Sequence, residues 1–264
     1  MAYDAKYFRG QGRVLIRAVT DSVDKLRFVG NVSDLQITTQ QQKTDHQESY
    51  TGERRTDLRM VTQTSVTLSI TLEDTQKQNW QLALKASTAA QAGATVSAES
   101  HTAPLAGEYF PLAKKNITSI TSITSDPAGT TFVAGTDYVA TPPSNLIYVP
   151  TGSALVSDPI LVNYVAGAAD VIFTFNATDT DYYLYFDGLN TVDSDAPVVI
   201  EIFKVNFDSA GQMALISDNL FNFQLNATAL YDTANDLPLD IAYRIGRGNP
   251  ARSGFVEWAE IGIF

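Results

Sequence analysis

Between Ser65 and Leu72 the chain alternates without interruption: Val66, Leu68, Ile70 and Leu72 fall on one side, and Ser65, Thr67, Ser69 and Thr71 on the other. A two-residue period belongs to an extended strand, and no helical face collects it. A strand patterned this way has one buried and one wet face, the condition met in antiparallel sheets. The pattern returns from Leu220 to Tyr231, where Phe221, Phe223, Leu225, Ala227 and Ala229 alternate with Asn222, Gln224, Asn226 and Thr228. That second polar face holds only neutral amides and a hydroxyl. Val14 to Val19, Lys25 to Ile37 with a break at Gly30-Asn31, Val171 to Phe175, Tyr182 to Phe186 and Val198 to Phe207 read as further strands. The chain is expected to be all-β and mainly antiparallel.

One segment departs from that grammar. Gln76 to Ser87 places Trp80, Ala83, Leu84 and Ser87 on one helical face, with Glu73 and Asp74 positioned for an acidic first turn. A short amphipathic helix covering a sheet is predicted, with Trp80 in its packing face. Ser87 to Gly107 is rich in Ala, Thr and Ser without periodicity and reads as a linker. Beyond it, Ile117 to Ile123, Leu146 to Val149 and Ile160 to Tyr164 carry short strand patterns around a Pro150-Thr151-Gly152 turn. The expected organisation is a main domain in two parts, residues 1–107 and 168–264, interrupted by a small exterior β-module at residues 108–167.

Charge is distributed unevenly. The 264 residues include 18 Lys and Arg against 29 Asp and Glu, a formal net charge of −11. Twelve of those acids lie from Asp170 to Asp240 with Lys204 as the one base, so this segment carries the whole excess. A field of that sign repels phosphate and argues against tight nucleic-acid binding through counterion release. The same acids also suit a soluble β surface with blunted strand edges. With no cysteine in the chain, disulfides, thiolate metal centres and thiol nucleophiles are excluded. No apolar run reaches the roughly 18 residues of a membrane span, and residues 1–6 lack the apolar core of a signal peptide, so neither membrane insertion nor export is expected.

No catalytic constellation is legible. His46 and His101 stand apart in segments read as loops, and no Gly-x-Ser-x-Gly elbow occurs. Asp179-x-Asp181 and Asp193-x-Asp195 lack the remaining ligands of a calcium loop, and Gly10-x-Gly12 and Gly246-x-Gly248 lack the third glycine of a phosphate cradle. Turns and close backbone approach account for them. Neither enzyme activity nor a metal or cofactor is expected. Thr39 to Arg59 is a different matter: 21 residues rich in Gln and Thr, with Lys43, Arg54, Arg55 and Arg59 balancing Asp45, Glu48, Glu53 and Asp57. Long unpatterned loops in compact domains are usually functional or disordered. Balanced charge, Tyr50 as an anchor and arginines able to grip carboxylates suit a protein–protein contact.

Three segments in order are Phe8-Arg9-Gly10-Gln11-Gly12-Arg13-Val14, Phe28-Val29-Gly30-Asn31-Val32-Ser33 and His46-Gln47-Glu48-Ser49-Tyr50-Thr51-Gly52-Glu53-Arg54. Followed by the alternating strand and the helix, they resemble the opening of the major tail (tail tube) proteins of long-tailed, non-contractile bacteriophages. The resemblance covers residues 1–90, whereas the later half is similar only in its strands rich in Phe, Tyr and Asp. Residues 108–167 look like the optional β-module that some of these proteins carry. The resemblance implies a β-sandwich or half-barrel protomer without enzyme activity or cofactor, assembled into six-fold rings stacked as a tube in the virion tail and put together in the host cytoplasm. Its implied partners are further copies of itself, the tape measure, terminator and distal tail proteins, and double-stranded DNA in transient, non-specific passage, with no membrane. On that likeness Phe8, Arg9, Gln11 and Arg13 would lie at a ring or stacking contact. Lys43, Asp45, His46, Glu48, Tyr50, Glu53, Arg54, Arg55 and Asp57 would lie in a loop that reaches a neighbouring subunit.

A conduit for DNA must enclose the duplex without holding it, because each phosphate neutralised by Lys or Arg releases counterions and adds affinity. Its wall should be neutral or acidic. Candidates are Ser65, Thr67, Ser69 and Thr71, then Asn222, Gln224 and Asn226, and some of the acids between Asp170 and Asp240. Two other readings stay open: a β-sandwich adhesin or receptor-binding module whose tyrosines and acids contact a glycan, and another tail component, such as a terminator or distal ring protein, that forms one ring and stops.

Overall fold

The computed structural model describes residues 7–21, 25–127, 129–155, 159–192 and 195–232, together with the backbone of 239–243. In chain order its elements are β1 (Gly10–Ala18), β2 (Arg27–Phe28), β3 (Val32–Gln47), β4 (Thr56–Leu72), α1 (Lys77–Leu84), β5 (Ser87–Gln91), β6 (Ala94–Thr102), β7 (Tyr109–Pro111) and β8 (Ile117–Ser125). They continue with β9 (Val139–Ala140), β10 (Leu146–Tyr148), β11 (Pro159–Ala166), β12 (Ala169–Phe173), β13 (Asp181–Asn190), β14 (Ala196–Phe207), β15 (Phe223–Ala229) and β16 (Leu239–Tyr243). The fold is all-β with antiparallel strand pairing, as the alternation requires. It forms two compact units, Met1–Ala86 with Thr174–Phe264, and Ser87–Phe173.

The first unit is an eight-stranded sheet in the order β2-β1-β13-β14-β15-β4-β3, with β16 pairing the first half of β14. The alternating residues are the ones that pack. Leu68, Ile70 and Leu72 of β4 and Phe223, Leu225 and Ala227 of β15 share a buried cluster with Val14, Ile16, Leu184, Ile202, Val205 and Phe207. Helix α1 lays Leu82 and Ala83 on that cluster, and Trp80 stacks on Phe221 at 5.3 Å and meets Phe223 edge-on at 4.9 Å. The helix is shorter than its pattern suggests. Lys85 takes a left-handed φ of 44°, and the N–H groups of Lys85 and Ala86 close on the carbonyls of Leu82 and Gln81, so Ser87 begins β5 instead. Its first turn holds no acid, and Asp74 precedes it, accepting from the Gln76 N–H at 3.1 Å.

The second unit has its own core, including Ile117, Ile123, Ile147, Ile160, Val162 and Tyr164, and three small sheets: β7-β10-β9, β6-β11-β8 and β12-β5. Where the sequence reads as a linker, at Ser87–Gly107, β5 and β6 lie instead. Their side chains are too small to show an apolar period, and β12 and β11 supply the large ones. The unit therefore starts at Ser87 and closes at Phe173, wider than the 108–167 module expected. His101 is a strand residue in β6, not a loop residue, with Nε2 2.6 Å from Glu99 Oε1. The Tyr164 hydroxyl donates to the other Glu99 oxygen, and burial together with that bond pushes it up to about 12.

Candidate functional site

The β3–β4 hairpin does two things along its length. Near the core it is part of the sheet. From Thr38 onward in β3 and before Ser65 in β4, every strand residue is exposed, because β15 stops pairing β4 at Val66 and no described residue covers them. The result is a two-stranded ribbon in which Gln40 to Gln47 alone extend roughly 25 Å at the strand rise per residue. The unpatterned loop expected over Thr39–Arg59 is thus mostly strand, with only residues 48–55 forming the turn. A ribbon with no buried face needs no apolar period, which is why its sequence reads as a loop.

The ribbon is organised by its own charges. Arg59 donates from Nε and Nη2 to Asp45 Oδ1 and Oδ2 at 2.6 and 3.0 Å, His46 Nδ1 lies 2.6 Å from Asp57 Oδ1, and Arg55 pairs with Glu53. His46 is a strand residue of β3 and not the loop residue expected. At the turn the Glu48 carboxylate, 5% exposed, accepts the N–H groups of Tyr50 at 2.9 Å, Thr51 at 3.0 Å and Arg55 at 3.4 Å, as well as the Thr51 hydroxyl. The Thr51 bonds hold the Glu48 carboxyl below its ordinary range, as Arg59 does for Asp45 and His46 for Asp57. Of the expected contact residues, Asp45, His46, Glu48, Glu53, Arg55 and Asp57 are therefore engaged within the ribbon, and Lys43, Tyr50 and Arg54 are exposed. Sequence reading missed Leu58, Met60 and Val61, which are 51%, 48% and 53% exposed. The signal was there in small: Leu58 and Met60 alternate with Asp57 and Arg59.

Closer to the core, β4 lies between β3 and β15, and the polar faces of all three fall in register. Gln36, Ser69 and Asn226 form one row, Thr38, Thr67 and Thr228 the next, and Asp34, Thr71 and Gln224 a third, while Ser65 pairs with Gln40. These rows hold hydroxyls and amides with a single carboxylate, Asp34, and no Lys or Arg. Asn222 stands ahead of β15, outside the ladder, while Gln36, Thr38 and Thr228 complete a face that sequence alone could only half assign. The acids of the 170–240 segment are not a bare wall. Asp187 pairs with Arg13 at 2.6 Å, Asp179 with Lys85 at 2.9 Å and Asp181 with Lys204 at 3.2 Å. Asp193, Asp236, the Asp240 side chain, Gly246 and Gly248 lie outside the described residues.

At the N-terminal strand Phe8 is 60% exposed and Gln11 is exposed, while Arg13 is held by Asp187. Arg9 is fastened through its backbone: its N–H donates to Asn190 Oδ1 at 3.0 Å, and its carbonyl accepts from the Thr191 N–H at 3.0 Å. Gly12 is a true close approach, since a Cβ there would lie 2.4 Å from the Asp187 carbonyl oxygen and 2.6 Å from Gly188 Cα.

No helix among the described residues is long and apolar enough to cross a membrane. No curated protein matches the chain. The family model described as Protein of unknown function UCP028589 matches residues 7–239, a span that includes the N-terminal strand, the ribbon and the three-strand polar face. The chain belongs to the family Protein of unknown function UCP028589.

Proposed function

We propose that this protein is a structural subunit that self-assembles into stacked rings, forming the tail tube of a long-tailed, non-contractile bacteriophage and a neutral-to-acidic conduit for its genome. The β3–β4 hairpin is the observation that carries this reading. One hairpin supplies both an arm and a wall. The arm buries little within its own protomer, yet its ion pairs and the Glu48 turn order it in advance, which lowers the entropic cost of docking on a neighbour. Leu58, Met60 and Tyr50 give such a neighbour apolar and aromatic surface to cover.

The wall is the ladder of Gln36, Ser69 and Asn226 and of Thr38, Thr67 and Thr228. It offers a duplex no cation, so phosphates pass without counterion release. The outer edge of β3 has no strand partner among the described residues, and β2 covers β1 only at Leu15 and Ile16. Copies placed side by side would close both edges, which single β-domains must otherwise guard. Further copies, the tape measure, terminator and distal tail proteins, and passing double-stranded DNA are the partners of this role, which needs no catalytic group or cofactor and places the protein in the virion tail.

Negative-stain microscopy of the purified full chain at rising concentration tests the proposal. Hollow filaments are expected. Single rings at every concentration would indicate a terminator or distal ring protein, and monomers throughout would overturn the assembly reading. A second reading, a glycan-binding module, draws on the second unit. There Tyr109, 63% exposed, faces Tyr148 across β7 and β10 with ring centroids 4.8 Å apart. Specific binding on a glycan array by a discrete oligomer would favour it.

A further inference from the structure

The first unit contains a cavity of about 320 Å³ lined by no residue of β3 or β4. It is framed by the end of β1, Asp21 and Lys25, the C-terminal half of α1 and residues 177–180 ahead of β13. The apolar part of its lining is Ile16, Leu82 and Phe207, all buried. Its charged part, among the described residues, is Arg17, Lys25, Arg27 and Lys85 against Asp21 and Asp179, an excess of cations in a chain of net charge −11.

Those cations differ in what they already hold. Lys85 is bound to Asp179 at 2.9 Å, and the Arg17 guanidinium sits 4.6 Å over the Tyr183 ring. Arg27 is half-buried and has no carboxylate partner within ion-pair distance among the described residues; its Nη1 donates at 2.8 Å to Asn79 Oδ1, a neutral acceptor. Asn79 is fully buried, and its amide nitrogen donates to the carbonyls of Val29 at 2.7 Å and Asp74 at 2.8 Å. Those two bonds fix the amide oxygen towards Arg27 and so fix the guanidinium. A guanidinium has five N–H donors and does not deprotonate in proteins, so at this half-buried position, with Asp74 acting only through space, donors remain for a further acceptor. Desolvation accordingly lowers the Arg27 pKa, with Tyr182 and Asp74 opposing. An anion in the cavity would give Arg27 the hydrogen-bonded carboxylate that it lacks among the described residues.

We propose that this cavity binds a small organic carboxylate with an apolar body. The carboxylate takes the remaining Arg27 donors, with Lys25 as a second cation, and the hydrocarbon lies against Ile16, Leu82 and Phe207. A carboxylate suits the site better than phosphate for two reasons. Asp21 and Asp179 repel a second negative charge, and the apolar lining offers phosphate nothing. The site does not depend on the conduit reading, and its test does not involve polymerisation.

The experiment titrates the full chain with 3-phenylpropionate, followed by calorimetry and amide NMR, beside 3-phenylpropionamide and inorganic phosphate. Saturable binding is expected, with shifts confined to residues 16–18, 25–27, 81–86 and 177–182. Arg27→Gln and the amide should each weaken binding at least about tenfold, the scale of one lost charge-assisted hydrogen bond. Arg27→Lys should retain part of it. Absence of saturable binding, an amide that binds as tightly as the acid, tighter binding of phosphate, or an Arg27→Gln protein that binds normally would each overturn the proposal. Should Arg27→Gln fail to fold, the acid–amide comparison on the unaltered chain decides.

Discussion

Asp45 and Arg59 meet across the β3–β4 ribbon as a two-point pair, at 2.6 and 3.0 Å, in a segment whose strand residues are all exposed. Exposed ion pairs add little to global stability. Here the consequence is register: a slip of one residue would part the two side chains and carry Leu58 and Met60 to the opposite face. Asp45→Asn should therefore leave the melting of the sheet unchanged while hydrogen exchange rises through residues 40–47 and 56–64. Exchange confined to the turn would show that Glu48 alone organises the ribbon.

The turn should be sensitive to acid. The carboxyls of Glu48, Asp45 and Asp57 are held below their ordinary range by Thr51, Arg59 and His46. A depressed carboxyl stabilises the folded state above its unfolded-state value, and the contribution disappears as pH falls through the folded-state value. Amide protection at residues 48–55, relative to the unstructured rate at each pH, is expected to be high at neutral pH and to fall below the usual carboxylate range. Glu48→Gln should show the lowered protection already at pH 7.

Thr67 is exposed on the polar face and Thr71 half-buried four residues on. Replacing both with Lys puts two cations on a wall that otherwise has none. If this face lines the bore, tubes should form normally in micrographs while infectivity falls by about tenfold or more, because each phosphate contact adds salt-dependent affinity. Unchanged infectivity would assign the bore to another face.

Gly12→Ala forces a Cβ against backbone of β13, at 2.4 Å from the Asp187 carbonyl oxygen. Backbone cannot rotate away, so a loss of about 1–3 kcal/mol is expected in urea unfolding, the range for overpacked sites. Gly10→Ala meets only the Phe8 ring, at 3.0 Å, and should cost much less because that exposed ring can move.

The second unit should be removable. The chain leaves the first unit after Ala86 and returns at Thr174. On either side of this gap the Phe175 and Ala177 N–H groups donate to the Leu84 and Lys85 carbonyls, both at 3.1 Å. A short Gly/Ser bridge in place of residues 87–173 should therefore preserve the near-ultraviolet dichroism of the Trp80, Phe221 and Phe223 cluster. Its loss would make the second unit a part of the fold of the first. A bridge replacing only 108–167 should fare worse, since it leaves β5 and β12 to pair without the rest of their unit.

The alternation of Val66, Leu68, Ile70 and Leu72, and of Phe223, Leu225 and Ala227, determined strand type, the buried face and the antiparallel class before any contact was known. It could do so because burial on one face imposes a period that composition cannot hide. Trp80 was legible as packing for the same reason. Tertiary structure alone decided that β4 runs between β3 and β15, bringing Thr67 beside Thr38 and Thr228, since pairing partners far apart in the chain leave no local trace. It alone turned the apparent loop at Thr39–Arg59 into a ribbon, where no buried face writes a pattern into the sequence. Arg27 and Asn79, separated by fifty-two positions, meet only once β2 is laid beside α1. A site assembled across that distance depends on packing geometry, which no window of sequence contains.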